Sequence, residues 1–506
     1  MLSLTHNNVM RGPGGQRAAL IEGSPATMSN AYLEGQFAPV QKELTAHDLP
    51  VTGTIPAHLD GRYLRNGPNP AGDIDPDTYN WFIGDGMVHG IRIRDGRAEW
   101  YRNRWVRAGR VARALGEQPP PRTRGAGIEL IGANTNVLAH AGRTLALVEG
   151  GNTNYELDDE LDTVGACDFD GTVHGGFTAH PKHDPETGEM HAVSYRFGLG
   201  NHVRYEVIGT DGRARRAVDV EVTGSPMMHD FALTRRHVVF YDFPVTFDPR
   251  QAAEMTMPRG MRAPARLLLS ALIGRVRVPD PVAALVARGR GAPTRYPYRW
   301  NRNYPARIGV LPREAGSDAV RWFDVPPCYV FHTLNAFDDD AGVVIDVVRH
   351  AKVFDDDLTG PSEGNPTLER WRLDLRTGAV DQQRLCDRPQ EFPRIDENLL
   401  GTPHRFGYTV EIDEGRLLKH DLSGGGTTST RTFGGEGHPI GEFVFEPNPG
   451  ATSEDDGVLM GFVHDLAEDR SDLAFLDAGT LETIGTVHLP HRVPAGFHGN
   501  WIPTTP

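Results

Sequence analysis

Pairs of strand-like segments joined by short glycine-containing turns recur along almost the whole chain. In GIRIRDGRAEW and RYEVIGTDGRARRAVDVEV, an Asp-Gly pair separates two strand-like runs, which is a strong hairpin signal. RWRLDLRTGAVDQQRL and LAFLDAGTLETIGTVHL repeat the pattern with longer turns. The sequence shows no sustained alternation of strands and helices, so it favours an all-β sandwich, barrel or propeller.

Chain length decides among these architectures. The chain has 506 residues, and a single sandwich would be far smaller. We therefore predict a single all-β domain over residues 31–506, built as a propeller of six to eight four-stranded blades. Residues 1–30 are polar and contain glycine, and we expect this N-terminal segment to be mobile.

A stretch over about 250–300 interrupts the strand pattern and predicts a short helical insertion. A second short apolar run covers 282–287, and arginines flank both runs. Two interpretations remain open: helices packed on the propeller face, or an apolar patch over 260–290 that contacts a membrane surface while its arginines face lipid phosphates. The residues at helical spacing are Leu267, Leu268, Ala271 and Leu272.

Charge and cysteine content restrict the partners and the compartment. The net charge of −15 argues against nucleic acid, because little in the sequence would neutralise phosphates. The three cysteines are far apart and form no CxxC pair, as in a reduced cytosolic protein. The sequence contains neither a signal-peptide segment nor an apolar run of membrane-spanning length. We expect a cytoplasmic protein, with peripheral membrane association if the insertion contacts lipid.

Four histidines stand where buried strands are expected to end. The chain has 21 histidines, so each one alone is more typical of a structural residue, and their spacing matches no local metal motif. In a propeller, however, inner strands of different blades converge on one axis, where residues distant in sequence can meet. Imidazole suits iron, zinc and copper. The four candidates are His180 in FTAHPK, His229 in SPMMHDFAL, His332 in VFHTLNAFDD and His498 in VPAGFHGNW.

Three glutamates adjoin strongly apolar residues: Glu149 in LALVEGG, Glu391 in QEFPRID and Glu442 in IGEFVFEP. Carboxylates that accept the second ring N–H of metal-binding histidines would orient the rings and offset the metal charge. The alternative is that these are edge-strand glutamates facing solvent.

Taken together, these motifs resemble the carotenoid cleavage oxygenases, a family of nonheme iron dioxygenases. The matching segments run from YLRNGPNP to GFHGNW. The resemblance implies a seven-bladed β-propeller with a short helical cap over the metal, and one Fe(II) on the axis held by the four histidines. It also implies that Glu149, Glu391 and Glu442 contact three of these histidines in the order of the chain, which leaves His180 without a glutamate. The segments between, in family order, are WFIGDGMVHG, GANTNVLAHAG, FTAHPKHDPETGE, MMHDFA, RIGVLPR, EFPRID, HRFGY and GEFVFEP.

The resemblance implies an enzyme that uses dioxygen to split a C=C bond into two carbonyl products without an organic cofactor. Thr135, in NTNV, lies where the family places a small side chain near an open metal position, although an ordinary strand threonine is the alternative. The FIGDGMVHG segment is interpreted as structural, with Asp85 holding a turn. His183 and His404 are interpreted as turn or surface histidines.

Val148 bears on the substrate class. Stilbene-cleaving relatives resemble one another in carrying a lysine immediately before the first glutamate, and here that position is Val148, which cannot bind a phenolate. This favours an apolar polyene, a carotenoid or apocarotenoid, over a stilbenoid. A non-cleaving retinoid isomerase or binding protein, and a metal-free scaffold, remain as alternatives.

Overall fold

The computed structural model describes residues 30–504, except 122, 124, 126, 130, 258, 278–295, 359–362, 412–413, 424–425 and 435–437. Its strands form seven antiparallel sheets, the blades of a propeller, and one additional two-stranded ribbon. The all-β prediction is confirmed, and so are the seven blades that the family resemblance implied. The predicted mobile segment lies almost entirely outside the described residues.

Blades I and VII combine strands from both ends of the chain. The last strand of the chain pairs with an early strand in blade I, and the second strand of the chain pairs with a late strand in blade VII. This exchange closes the ring of blades. Blade I contains β1 (Leu44–His47), β3 (Gly61–Pro68), β4 (Gly86–Arg94), β5 (Arg97–Trp105) and β32 (Gly499–Pro503). Blade VII contains β2 (Val51–Gly53), β28 (Ile440–Pro447), β29 (Gly457–Asp465), β30 (Arg470–Asp477) and β31 (Thr483–His488).

Blades II to VI have four strands each, with the innermost strand first in sequence. Blade II contains β6 (Asn136–His140), β7 (Arg143–Leu147), β8 (Tyr155–Leu157) and β9 (Thr163–Ala166). Blade III contains β10 (Lys182–His183), β11 (Met190–Ser194), β12 (His202–Ile208) and β13 (Ala214–Glu221). Blade IV contains β14 (Ala232–Leu233), β15 (His237–Asp242), β18 (Arg307–Pro312) and β19 (Arg321–Asp324). Blade V contains β20 (Tyr329–Asp338), β21 (Gly342–His350), β22 (Thr367–Asp374) and β23 (Val380–Cys386). Blade VI contains β24 (Gln390–Arg394), β25 (Phe406–Glu411), β26 (Arg416–Asp421) and β27 (Thr427–Thr432).

The predicted hairpins occur where the turn chemistry indicated. Asp95 and Gly96 connect β4 to β5, and both have positive φ, 49° and 68°, as a tight hairpin turn requires. The alternating strand faces bury valine, leucine and aromatic side chains between neighbouring blades. Seven short 3-10 helices occur among the described residues, namely Ala31–Leu33, Gly35–Phe37, Trp81–Ile83, Phe197–Leu199, Arg259–Met261, Ser317–Ala319 and Glu397–Leu399.

The FIGDGMVHG segment packs against the backbone that precedes blade II. A Cβ atom at Gly86 would lie 1.8 Å from the carbonyl oxygen of Ala133, so only glycine allows this approach. The Asp85 side chain accepts the backbone N–H of Ala71 over 2.8 Å and pairs with Arg110. These contacts fix the backbone that leads into β6.

The predicted insertion begins with helices. The ribbon of β16 (Val245–Phe247) and β17 (Tyr298–Trp300) forms its base. Asp248 caps the first helix of the insertion, Pro249–Thr256, and its side chain accepts the backbone N–H of Arg250 over 2.7 Å. The apolar run 282–287 lies outside the described residues. The helices of the described chain are α1 (Gly109–Ala114), α2 (Pro249–Thr256) and α3 (Arg262–Leu272).

No helix within the described ranges is both long and apolar enough to cross a bilayer. Helix α3 has no buried residue, and its Leu267 and Leu268 side chains are 74% and 61% exposed.

Candidate metal centre

The innermost strands bring the predicted histidines together near one end of the propeller axis. His180, His229 and His498 each lie within three residues before the first residue of an innermost strand, and His332 is the fourth residue of β20. The expectation that these histidines end their strands is therefore wrong: they stand at or near strand starts. Starts of innermost strands in different blades face the same point, which is why residues so distant in sequence meet there.

The four rings face one another closely. Nε2 of His180 lies 3.0 Å from Nε2 of His229, and Nε2 of His332 lies 3.1 Å from Nε2 of His498. One ring nitrogen from each of the four histidines falls within a set whose members all lie within 4.8 Å of one another. His180 and His498 are buried, and the other two rings are half-buried. The geometry is that of a convergent four-imidazole cluster.

Two of the glutamates each hydrogen-bond to Nδ1 of one histidine, the ring nitrogen that points away from the cluster. Nδ1 of His332 hydrogen-bonds to Glu391, and Nδ1 of His498 donates to Glu442 Oε1 over 3.0 Å. Glu442 also accepts the backbone N–H of Gly499 over 3.0 Å. These bonds fix both the tautomer and the orientation of the two rings.

Glu149 is arranged differently. Its Oε1 lies 3.5 Å from Nδ1 of His229, and that nitrogen has no hydrogen-bond partner among the described residues. Glu149 instead accepts from the Thr178 hydroxyl over 3.1 Å, the Ala179 N–H over 3.0 Å and the Tyr195 hydroxyl over 2.6 Å. It is therefore a fixed carboxylate beside His229 without a direct bond to that ring.

The cluster combines buried imidazoles with ionised carboxylates. Burial lowers the pKa of His498, whereas the Glu391 carboxylate outweighs burial and raises the pKa of His332. Burial, followed by the neighbouring imidazoles, holds the pKa of His180 well below its usual value. Burial opposes ionisation of Glu442, but Arg394 and His498 outweigh it and lower the pKa of this carboxyl to about 2. Burial also opposes ionisation of Glu391, and its hydrogen-bonded histidines still hold the pKa of this carboxyl below its usual range.

These observations fit a bound cation. When both rings are neutral and give Nδ1–H to a glutamate, His332 and His498 turn unprotonated Nε2 lone pairs toward each other at 3.1 Å. Two facing lone pairs repel, and nearby carboxylates add negative charge in a buried setting. A divalent metal ion bound by imidazole nitrogens removes both costs. The donor set is therefore suited to a first-row metal such as iron, and it contains no carboxylate ligand.

A large apolar cavity of about 400 Å³ opens onto this cluster. Val148 is fully buried in its wall, and Thr135 lies near the histidines. Thr135 directly precedes β6, the innermost strand of blade II, the same strand-start position that three of the histidines occupy. Its hydroxyl donates to the Asn134 side chain over 2.9 Å. Aromatic residues that line the cavity include Trp81, Phe82, Phe331, Phe354, Phe392 and Phe497.

Sequence reasoning missed His350 and Tyr195 as partners of the glutamates. His350 ends the buried strand β21, and its Nε2 lies 2.6 Å from Glu391 Oε1. The signal that could identify His350 in the sequence is its place at the end of the apolar run GVVIDVVRH. Tyr195 carries no comparable signal. The interpretation of His404 as a turn or surface residue is wrong, because its ring is buried 3.4 Å from Asp346.

Comparison with known proteins gives a consistent result. The family model described as "Retinal pigment epithelial membrane protein" matches residues 37–503. The chain is 58% identical to a carotenoid cleavage oxygenase from Mycobacterium tuberculosis over 95% of this chain and 99% of that protein. It is 32% identical to carotenoid 9,10(9',10')-cleavage dioxygenase 1 from Arabidopsis thaliana, covering 94% of this chain and 90% of the relative.

A solved structure has the same architecture. The crystal structure of a lignostilbene dioxygenase from Pseudomonas brassicacearum superposes with a TM-score of 0.78 at 26% identity, over 95% of this chain and 100% of that chain.

Proposed function

Because the chain belongs to the carotenoid cleavage oxygenase family, we propose that it is an iron-dependent dioxygenase that splits a C=C bond of a carotenoid or apocarotenoid. The bond is replaced by two C=O groups, one on each product, and both oxygen atoms come from one dioxygen molecule. The observation that carries the proposal is the cluster of four histidines at the end of a large apolar cavity.

We assign His180, His229, His332 and His498 as the ligands of one Fe(II), and Glu391 and Glu442 as the residues that orient two of them. Glu149 supports His229 through charge and position. When bound, Fe(II) supplies the electrons that allow dioxygen to react with an alkene, and no organic cofactor is required. The protein would hold the metal through four neutral imidazoles and no carboxylate. This ligand set would leave part of the metal's surroundings open to dioxygen.

The apolar cavity binds the polyene and excludes water. Aromatic rings such as Phe331, Phe392 and Phe497 surround the approach to the histidines. Burial of a long hydrocarbon in this wall is favourable by about 25 cal/mol per Å² of apolar surface. Holding the chain of double bonds in one orientation selects which bond lies beside the metal.

Thr135 limits the space beside the ligand cluster. It holds the strand-start position of blade II, and its hydroxyl is bonded to Asn134. We assign it the role of restricting access to one side of the metal, so that dioxygen and the substrate occupy separate positions.

Val148 favours a hydrocarbon substrate over a phenol. It is fully buried in the cavity wall directly before Glu149, and it offers no group to bind a phenolate. In Val148→Lys, we expect polyene cleavage to fall by at least about tenfold, because an ammonium group would have to be desolvated there. Val148→Leu is the matched control.

The exposed face of α3 docks on membranes, which is where a lipid-soluble polyene resides. Its exposed leucines lie beside arginines, including the exposed Arg259 and Arg266. Tyr296, near the end of the insertion, lines the apolar cavity.

The test is product identification with the purified full chain and Fe(II). Apocarotenals, carotenoids and hydroxystilbenes are supplied under isotope-labelled dioxygen, and the products are analysed by mass spectrometry. The expected result is two labelled carbonyl compounds from a polyene. Faster turnover of a hydroxystilbene would assign a stilbenoid substrate instead, and geometric isomerisation without label would show a non-cleaving enzyme.

A further inference from the structure

His332 and His498 line two different cavities at once. One is the apolar cavity already described. The other is a polar cavity of about 110 Å³, which also touches His180. Its wall includes the charged side chains of Lys182 and Arg394. The metal centre therefore has an apolar approach and a separate polar approach.

The polar cavity lies on the propeller axis, because each of the seven innermost strands contributes at least one residue to its wall. Beyond it lies a third cavity of about 790 Å³, whose wall includes the highly exposed Asp159. Four residues line both of these cavities and form the neck between them: Leu138, His183, Glu397 and Asn500. We call the polar cavity, its neck and the third cavity the axial passage.

We propose that the metal ion enters and leaves the centre through the axial passage and not through the substrate cavity. This inference rests on the proposed metal centre. A hydrated divalent cation loses far more hydration energy in an aromatic-walled cavity than along a wall that offers amide, carboxylate and imidazole groups. The passage also keeps this route separate from the site where a polyene binds.

Glu397 is the residue of the neck best placed to control the ion. Its side chain is 57% exposed and lies 2.7 Å from the guanidinium of Arg394. Arg394 in turn donates to Asn500 over 2.8 Å and lies 3.6 Å from Glu442, which holds His498. The Glu397 carboxylate therefore offsets a cation that would otherwise repel an incoming metal ion, and it does so without touching any histidine of the cluster.

The test measures the rate of metal loading by the chelator-stripped full chain, with Co²⁺ as the probe and its visible absorption as the readout. We expect Glu397→Lys to slow loading by about tenfold, with unchanged final occupancy, and Glu397→Gln to have an intermediate effect. Glu482→Lys makes the same charge change at an exposed position outside all three cavities and is expected to load at the wild-type rate. Ala31→Trp narrows the substrate cavity at an exposed position and is also expected to leave loading unchanged.

Loading of Glu397→Lys at the wild-type rate would overturn the proposal, as would an equal slowing in Ala31→Trp. Failure of the wild-type chain to bind Co²⁺ at all would instead reject the metal centre itself. The two failures are distinguishable, because the readout needs neither substrate nor turnover.

Discussion

His350 and Glu391 form a hydrogen bond of 2.6 Å between Nε2 and Oε1, although they belong to adjacent blades. The other oxygen of Glu391 holds Nδ1 of His332. Glu391, in blade VI, is thus fixed between two histidines of blade V, the proposed ligand His332 and the buried His350. The orientation of the His332 ring depends on a residue that does not itself face the other three imidazoles.

We expect His350→Phe to weaken metal binding by up to about tenfold, because it removes the donor that fixes Glu391 Oε1 and leaves a buried oxygen unpaired. Equilibrium titration with Co²⁺ measures this. His420→Phe removes another buried histidine, one that is bonded to Thr409 in blade VI, and should leave affinity unchanged. Equal weakening in both variants would assign the effect of His350 to general loss of stability.

The three glutamates are expected to differ in importance. Glu391→Gln and Glu442→Gln should weaken Co²⁺ binding by about 10- to 100-fold, as is typical when the partner of a metal-bound histidine is lost. Glu149→Gln should have a smaller effect, since its nearest oxygen lies 3.5 Å from His229 Nδ1 without a hydrogen bond. Glu369→Gln, a buried glutamate bonded to Trp371, is the control. A Glu149 variant as weak as the other two would contradict this ranking.

Removal of a ligand should have the largest effect of all. His498→Ala is expected to lower Co²⁺ affinity by more than about 100-fold and to abolish cleavage, because it removes a ligand and leaves Glu442 without its imidazole partner. His47→Ala, at an exposed position, is the control. Metal content is measured on protein whose thermal unfolding shows it to be folded. Retained cleavage in His498→Ala would reject the ligand assignment.

The sequence was informative where chemistry is local. Asp95-Gly96 specifies its hairpin through the turn alone, so β4 and β5 could be predicted. The local strand pattern does not give the number of blades, which comes from the family resemblance, because blade I closes through pairing of β3 with β32 from the opposite end of the chain. The four histidines are identified as ligands by the family resemblance of the segments that carry them, since their spacing alone carries no signal. The bond from His350 to Glu391 depends on packing between two blades, and it becomes visible only in three dimensions.

Membrane docking predicts a specific sensitivity of α3. The double substitution of Leu267→Glu and Leu268→Glu should reduce binding to lipid vesicles by about 100-fold, because each leucine contributes at least about 1.5 kcal/mol when buried in lipid. Cleavage of a detergent-solubilised polyene should be unchanged. Leu466→Glu alters an exposed leucine between β29 and β30 and should bind vesicles like the wild type. Vesicle co-sedimentation is the measurement, and unchanged binding of the double variant would remove α3 as the docking surface.

The close approach at Gly86 predicts a purely structural effect. Gly86→Ala should lower the free energy of unfolding by about 3 kcal/mol, because the new Cβ would lie 1.8 Å from the Ala133 carbonyl oxygen. Gly260→Ala introduces a Cβ that meets no atom within 4 Å and should be neutral. Denaturant unfolding monitored by fluorescence measures both, and a stable Gly86→Ala would show that the backbone there moves at low cost.

The buried carboxyl group of Glu206 should make the free energy of unfolding depend on pH. It is buried in β12, its Oε2 has no hydrogen-bond partner among the described residues, and burial raises the pKa of its carboxyl to about 7. Between about pH 4.5 and pH 7 the folded chain therefore holds a proton that the unfolded chain has released, so stability from this group is complete below that window and falls as pH rises through it. The loss amounts to about 3 kcal/mol at the top of the window.

Glu206→Gln should remove this part of the slope and raise Tm at pH 8 relative to the wild type, with little difference at pH 4.5. The exposed Glu482→Gln should leave the slope unchanged. Parallel pH–stability curves for Glu206→Gln and the wild type would mean that Glu206 ionises normally in the folded protein.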